Sequence, residues 1–408
     1  MHLSRRQIYR RRRIAALSVL AVVLTALIYG FSTGLAPLPA NAAQVAAPVT
    51  LTQPAATPEW PGYGTSAIGA VGFDGVLASQ GSESPVPIAS IAKAITALVI
   101  LEAKPLGVDE AGPDITFTED DIDIYYDTIA ENGSSAPVSV GMVLSQREAL
   151  EAMLLPSANN YAKSLAIWAY GSEDAYLAAA ASWLSAHGLT GTTVVDTSGL
   201  SAQSVSTPSD LVEIGKLVKA SPAISEIVSM KTATLPTIGE VTNTNKMLGI
   251  NGVNGIKTGT TDEAGACLLF SADITVGSQT VTLIGFVLGG DTHSELNESI
   301  SELIDSVKTG FHEVQLTEAG VSFATYTAEW GQSAHAVTAE AASTLVWSDT
   351  PISGTPTVKP ITTGDAGESV GSVDYVVGTR TISVPLVLDA EVSDPGLGWR
   401  LTNPTKLG

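Results

Sequence analysis

"PIASIAKAITALVI", residues 87–100, sets a serine and a lysine three positions apart at the head of an apolar run. The run predicts a helix starting near Ser90 and stopping before Pro105. A spacing of three puts Ser90 and Lys93 on one helix face, one turn apart. An amine that has lost its proton can there take the proton of a hydroxyl, which makes Ser90 a nucleophile. The same letters also suit a plainer use, with Ser90 capping the helix and Lys93 reaching for solvent. This is the only Ser-x-x-Lys in a chain with 11 lysines, so its meaning rests on what accompanies it.

Two further short motifs accompany it. "LLPSANNYAKSL" (154–165) holds Ser157-Ala158-Asn159 directly after Pro156. "GVNGIKTGTTDEAGACLLF" (252–270) holds Lys257-Thr258-Gly259-Thr260 at the entry to a strand. Ser-x-x-Lys, Ser-x-Asn and Lys-Thr-Gly in this order form a serine acyl-transfer signature. The separations, 67 residues from Ser90 to Ser157 and 100 from Ser157 to Lys257, leave room for intervening helices. Lys93 can act as a base only if its pKa falls, and burial together with the neighbouring cation Lys257 would lower it. Ser157 can pass a proton to a leaving amine. Asn159 offers an amide to Lys93 and to a substrate backbone. Lys257 supplies a fixed positive charge for a carboxylate, joined by the Thr258 hydroxyl. Gly259 lets the strand approach a ligand closely. The backbone N–H groups of Ser90 and Thr260 can form an oxyanion hole.

Bulk properties narrow the partners. The chain has 408 residues, 45% of them apolar and 6% aromatic, with a formal charge of −21. Six arginines precede Ile14, and the first 42 residues hold no acid, so removing those six charges leaves −27 on the rest. Such a surface repels phosphate backbones and argues against a nucleic-acid partner. Cys267 is the single cysteine and reads as a small buried hydrophobe, so no intrachain disulfide can form. No HExxH or Cys-x-x-Cys spacing calls for a metal, and no cofactor is expected. The acids of 114–131 lack calcium-loop spacing and read as a solvated face.

"SRRQIYRRRR" (4–13) and the 17 uncharged residues that follow read as a signal or anchor helix spanning 1–33. "PLPANAAQ" (37–44) offers an Ala-x-Ala-like cleavage site ending at Ala42. With or without cleavage, the remainder is expected outside the membrane, the arginines staying in the cytoplasm. Residues 34–64, rich in Ala, Pro and Thr, read as an extended linker. Helices between strands, closed by the strand pair "GACLLFSADI" and "SQTVTLIGFVLGG" and a last helix, predict an α/β domain with a mainly antiparallel sheet over 65–313. Residues 317–408, rich in Val, Thr, Gly and Ser, predict a small β-rich domain, with two strands about the Gly-Thr of "SVDYVVGTRTISVPLVLDAEV".

With these motifs in view, the chain resembles the serine-type D-alanyl-D-alanine carboxypeptidases, the low-molecular-mass penicillin-binding proteins. "PIASIAK" is similar to the family's nucleophile segment, and "SQREALEAMLLPSANNYA" to the stretch around its second motif. "VVDTSGLSAQSVSTPSDLVEIGKL" looks like its glycine-leucine loop and following helix, and "TNTNKML" precedes "GVNGIKTGTT" as in the family. The likeness spans about residues 67–313. It implies the DD-peptidase and serine β-lactamase fold. It implies Ser90 as acylated nucleophile, Lys93 as its base, Ser157 and Asn159 as the second element, and Lys257, Thr258 and Gly259 as the third. Thr260 would line the oxyanion hole. The implied substrates are peptidoglycan stem peptides, with β-lactams as covalent inhibitors, on the cell-wall side of a bacterial membrane. Asn160 and Tyr161 stand where an acid and a small residue are common, and His293 where an arginine is common. A class A β-lactamase would need a Glu-x-x-x-Asn between the second and third motifs, which Glu173 and Glu213 do not supply. A related esterase or D-aminopeptidase shares the chemistry. A non-catalytic regulatory relative would be expected to have lost a reactive residue, and none is lost here.

Overall fold

The computed structural model describes residues 4–408, which form two compact units, 55–312 and a second built from the N-terminal residues through Pro54 together with Glu313–Gly408. The first unit is built on a five-stranded antiparallel sheet in the order Val253–Thr261, Gly265–Val276, Gln279–Gly290, Thr65–Ala70, Ala78–Gln80. The two long central strands form a hairpin that pairs Val276 with Gln279, and Gly277 takes the φ of +58° that the tight turn needs. Both faces are covered, so these strands read as near-continuous apolar runs rather than alternating ones. Ile284, Phe286, Leu269 and Cys267 join the core of a helical lobe on one face. The intervening Leu283, Val287, Leu268 and Phe270 are buried away from that core. Helix His293–Lys308 packs along the same strands through Leu296, Ile300, Leu303 and Val307.

Helix Pro208–Ala220 seats on the sheet unusually closely. A Cβ on Gly69 would lie 2.4 Å from Val212, and one on Gly215 would lie 2.4 Å from Ile284. Its cap is Thr207, whose Oγ1 accepts the Asp210 N–H at 3.3 Å, with Pro208 in the first turn. Helices Gln146–Leu154, Asn159–Tyr170, Glu173–Ala186 and Pro208–Ala220 pack around Ala92–Ala103, which is buried on nearly every side, as an all-round apolar sequence requires. A short 3₁₀ turn, Ala89–Ile91, leads into it. The break at Pro156 falls between helices Gln146–Leu154 and Asn159–Tyr170. Trp183 belongs to the core, and Trp168 packs against it beneath the Lys104 ammonium. The acidic stretch after Asp114 forms strand Asp114–Thr116 and helix Glu119–Ala130, and its acids Glu119, Asp120, Asp123 and Asp127 are exposed, as a solvated face requires. Thr118 and Asp121 form a reciprocal cap at that helix's start.

The second unit is a seven-stranded antiparallel sheet with a companion pair, Phe311–Thr317 and Ala342–Trp347. The expected strands about Gly378-Thr379 are Ser369–Val377 and Arg380–Leu388, paired from Val377 to Arg380. The stretch expected as a linker departs from that reading. Ala43–Val45 pairs with Ser322–Thr327 at one edge of the sheet, and Val49–Leu51 pairs with Ile352–Val358 at the other. A stretch of nine residues therefore blunts both edges. Its strands are too short to show a period, and their partners lie hundreds of residues away. Helix Arg5–Gly34 is long and apolar enough to cross a membrane. Near its end, Tyr29 Oη donates to the Leu401 carbonyl of helix Gly396–Thr402 at 2.7 Å.

Candidate active site

Ser90 sits in the 3₁₀ turn directly after Ala89, a non-glycine residue held at φ +45°. That conformation costs of order 1–3 kcal/mol and persists only where the surroundings impose it. Two glycines make room for the turn. A Cβ on Gly199 would lie 1.9 Å from the Ala89 carbonyl oxygen, and one on Gly259 would lie 3.0 Å from the Ser90 nitrogen. The helix that follows has no side-chain cap, so Ser90 is not spent as one. Instead, Lys93 Nζ and Ser90 Oγ lie 2.8 Å apart. Lys93 is fully buried and donates to the Ser198 carbonyl at 3.1 Å. Burial holds its pKa well below the ordinary lysine value, and the charge of Lys257 lowers it further, while Asp196 opposes.

The second motif occupies the break after Leu154. Ser157 is another non-glycine residue in the left-handed region, at φ +65°. It is buried, as is Asn159, whose backbone N–H donates to the Ser134 carbonyl at 2.7 Å. Asn160 and Tyr161, the two departures noted in the sequence, fasten the segment opposite. Asn160 brackets Ala136 with bonds to its N–H and carbonyl at 3.1 and 3.0 Å, and Tyr161 donates to the Pro137 carbonyl at 2.8 Å.

The third motif lies on the sheet-edge strand Val253–Thr261. Lys257 is fully buried, and burial brings its pKa down to about 7. Its Nζ donates to the Thr258 carbonyl at 3.1 Å. The Thr258 hydroxyl meets that of Thr244 at 2.5 Å. Asn245, buried beside it, donates from Nδ2 to the Gly255 carbonyl at 3.1 Å. Thr260 is exposed and meets His293 Nε2 at 2.8 Å. Burial and the Lys257 charge lower the His293 pKa.

Two contributors have no role in the motif reading. Thr244 supports Thr258, and its only trace in sequence is the "TNTN" run. Asp196 organises the loop that carries the Lys93 acceptor. Its Oδ1 accepts the N–H groups of Ser198 and Gly199 at 2.7 and 2.5 Å, and its Oδ2 accepts that of Ser201 at 2.9 Å. Burial raises its pKa, but these bonds outweigh burial and leave it lowered. The arrangement thus combines a serine bonded to a buried amine, a second buried cation, and backbone strain at both serine-bearing turns.

Residues 72–292 match the D-alanyl-D-alanine carboxypeptidase family. A D-alanyl-D-alanine endopeptidase of Pseudomonas aeruginosa is 33% identical over 207 residues, covering 49% of this chain and 63% of the relative. The D-alanyl-D-alanine carboxypeptidase DacA of Escherichia coli is 29% identical over 262 residues, covering 63% of this chain and 64% of its own. The chain thus spans a little under two-thirds of these relatives. Among solved structures, the Streptomyces DD-transpeptidase shares 25% identity at a TM-score of 0.53, covering 63% of this chain and 98% of its own. The PBP3 peptidoglycan synthesis regulatory factor of Streptococcus pneumoniae shares 23% identity at a TM-score of 0.60, covering 82% and 100%. The match takes in all three motifs and more than half of the sequence, and the chain belongs to the D-alanyl-D-alanine carboxypeptidase family.

Proposed function

We propose that the protein is a serine-type D-Ala-D-Ala carboxypeptidase that trims peptidoglycan stem peptides through an acyl-Ser90 intermediate. The observation that carries this reading is the 2.8 Å contact between Ser90 Oγ and a fully buried Lys93 whose pKa burial depresses. Neutral Lys93 takes the Ser90 proton as Oγ attacks the carbonyl of the penultimate D-alanine. The N–H groups of Ser90 and Thr260 stabilise the oxyanion. As the C–N bond breaks, Ser157 relays a proton to the departing amine and D-alanine leaves. Asn159, which makes no bond to Lys93, meets the substrate backbone, and the Ser198 carbonyl holds Lys93 instead. Water then cleaves the ester, with Lys93 as base, and the shortened peptide departs. Charged Lys257, with Thr258, receives the terminal carboxylate, and Gly259 leaves the strand open to the peptide. A buried cation at the leaving-group end favours a free C-terminus over a peptide that continues.

A β-lactam presents a strained amide with a carboxylate at similar reach, so it should acylate Ser90. We place the catalytic domain over 65–313 and the β-rich domain over 317–408, its sheet completed by strands Ala43–Val45 and Val49–Leu51, on the cell-wall side of a bacterial membrane. Helix Arg5–Gly34, about 45 Å long at 1.5 Å per residue, exceeds the hydrocarbon core and suits a retained anchor with its arginines in the cytoplasm. The test is incubation with a peptide ending in D-Ala-D-Ala, measuring released D-alanine, beside intact-mass analysis after penicillin exposure. D-alanine release and one lasting adduct on Ser90 are expected. No release from folded protein would overturn the reading, and rapid penicillin turnover without an adduct would favour a β-lactamase.

A further inference from the structure

Asn159 is buried, and its bond to the segment opposite runs from its backbone N–H to the Ser134 carbonyl at 2.7 Å. Its side chain is held differently. Oδ1 is enclosed without a hydrogen-bond partner, and the backbone of Gly133 lies so close that a Cβ there would sit 2.6 Å from Nδ2. The carboxamide is thus oriented by packing rather than by bonds. Gly133 is tied back to helix Glu119–Ala130 by its N–H, which donates to the Thr128 carbonyl at 2.8 Å.

Residues 133–137 form neither helix nor strand, so their course depends on what holds them. Asn160, buried, pairs with both backbone groups of buried Ala136: its Oδ1 accepts the N–H at 3.1 Å and its Nδ2 donates to the carbonyl at 3.0 Å. An aspartate at 160 could accept from that N–H but would leave the buried carbonyl without a donor. Tyr161 is fully buried, stands edge-on to Phe117 with ring centroids 5.4 Å apart, and donates to the Pro137 carbonyl at 2.8 Å. Three consecutive residues of the second-motif helix therefore set the register of the segment that packs on Asn159.

We propose that Asn160 and Tyr161 are positioning residues for acyl transfer: by fastening Ala136 and Pro137 they keep Gly133 against the Asn159 carboxamide and so fix the group that meets the substrate backbone. The inference rests on the acyl-Ser90 reading and concerns how the second motif is set rather than the chemistry it performs.

The experiment measures the second-order rate of penicillin adduct formation on Ser90 by intact mass, with the full-length protein in detergent. Asn160→Asp should lower the rate about ten- to hundredfold, the scale of a displacement of about 1 Å. Tyr161→Phe removes one hydroxyl and keeps the ring, so it should fold and lower the rate about two- to tenfold. Gly133→Ala should lower it too, since its Cβ displaces the carboxamide directly. Each substitution is repeated in an Asn159→Ala protein. There it should change the rate by less than about twofold, because the group it positions is gone. General loosening of the fold would lower the rate in both backgrounds. Equal fold losses in the two backgrounds therefore overturn the inference, as does an Asn159→Ala or a Tyr161→Phe protein that acylates at the wild-type rate. No adduct on folded wild-type protein overturns the acyl-Ser90 reading, and this inference with it.

Discussion

Acylation of Ser90 should have a bell-shaped pH dependence whose alkaline limb belongs to Lys257 and begins near pH 7. Both motif lysines are buried, and burial lowers both pKa values. The charge of Lys257 adds to burial in lowering Lys93, whereas burial alone brings Lys257 to about 7. The reactive ionisation needs Lys93 neutral as base and Lys257 charged for a carboxylate. One unit above its pKa, about a tenth of Lys257 remains charged, so the second-order rate near pH 8 should be about tenfold below its maximum. The second-order rate reports the free enzyme, while a bound carboxylate would raise the Lys257 pKa and move the limb upward in the saturated rate. The assay is penicillin adduct formation at limiting drug, followed by intact mass from about pH 5 to about pH 10. Lys257→Arg keeps its charge throughout and should lose the alkaline limb at some cost in rate. A flat wild-type profile above pH 7, or a limb unchanged in Lys257→Arg, would refute the assignment. Stability should move the other way. The folded pKa of Lys257 lies below the unfolded value of 10.5, so the unfolded chain binds more protons between about 7 and 10.5, and this contribution to stability rises with pH. The shift corresponds to up to about 5 kcal/mol, so Lys257→Met should be the more stable protein below pH 7, with an advantage that shrinks as the pH rises.

Lys93→Arg should lower acylation by at least about a hundredfold with folding intact, because a guanidinium cannot serve as base near neutral pH; equal losses in Lys93→Arg and Lys257→Arg would defeat the division of labour. Gly199→Ala should destabilise the first unit by about 2–4 kcal/mol, since its Cβ would meet the Ala89 carbonyl at 1.9 Å and its φ is +77°; an unchanged urea midpoint would contradict this. Asp196→Asn removes the charge that holds the Lys93 pKa up, so the acid limb of acylation should shift to lower pH, and a shift to higher pH would count against the pairing. A chain starting at residue 52 should show a less stable second unit than one starting at residue 37, because only the former lacks both edge strands; equal thermal midpoints would show those strands to be dispensable.

What was legible in the fold followed the range of the information. Helix Pro208–Ala220 announced itself through Thr207, Pro208 and an apolar period, all within one turn of its start. The hairpin from Gly265 to Gly290 did so through two long apolar strands and a glycine turn. Helix Glu119–Ala130 was hidden because its acids looked like a solvated run, although Thr118 and Asp121 stood at capping distance. Strands Ala43–Val45 and Val49–Leu51 left no local sign, since three residues cannot display an alternation and Ala/Pro-rich composition reads as tether.

The site divides along the same line. Ser90 and Lys93 are one turn apart on a continuous segment, so their contact follows from helix geometry and could be read from letters. The contact matters chemically because Lys93 is sealed from water, and that depends on partners such as Ser198, 105 residues away. The strain at Ala89 is equally distant in origin. Nothing in "PIAS" asks an alanine to adopt φ +45°, and the turn is possible because Gly199 and Gly259, from two other elements, leave space that any larger residue would fill. Asp196 then closes the argument from the far side. By accepting the Ser198 and Gly199 N–H groups it holds together the carbonyl that receives Lys93 and the glycine that admits Ala89. One carboxylate thus orders both the base and the strained turn of the nucleophile, a role no motif spacing encodes because it exists only once the loop has folded over the turn.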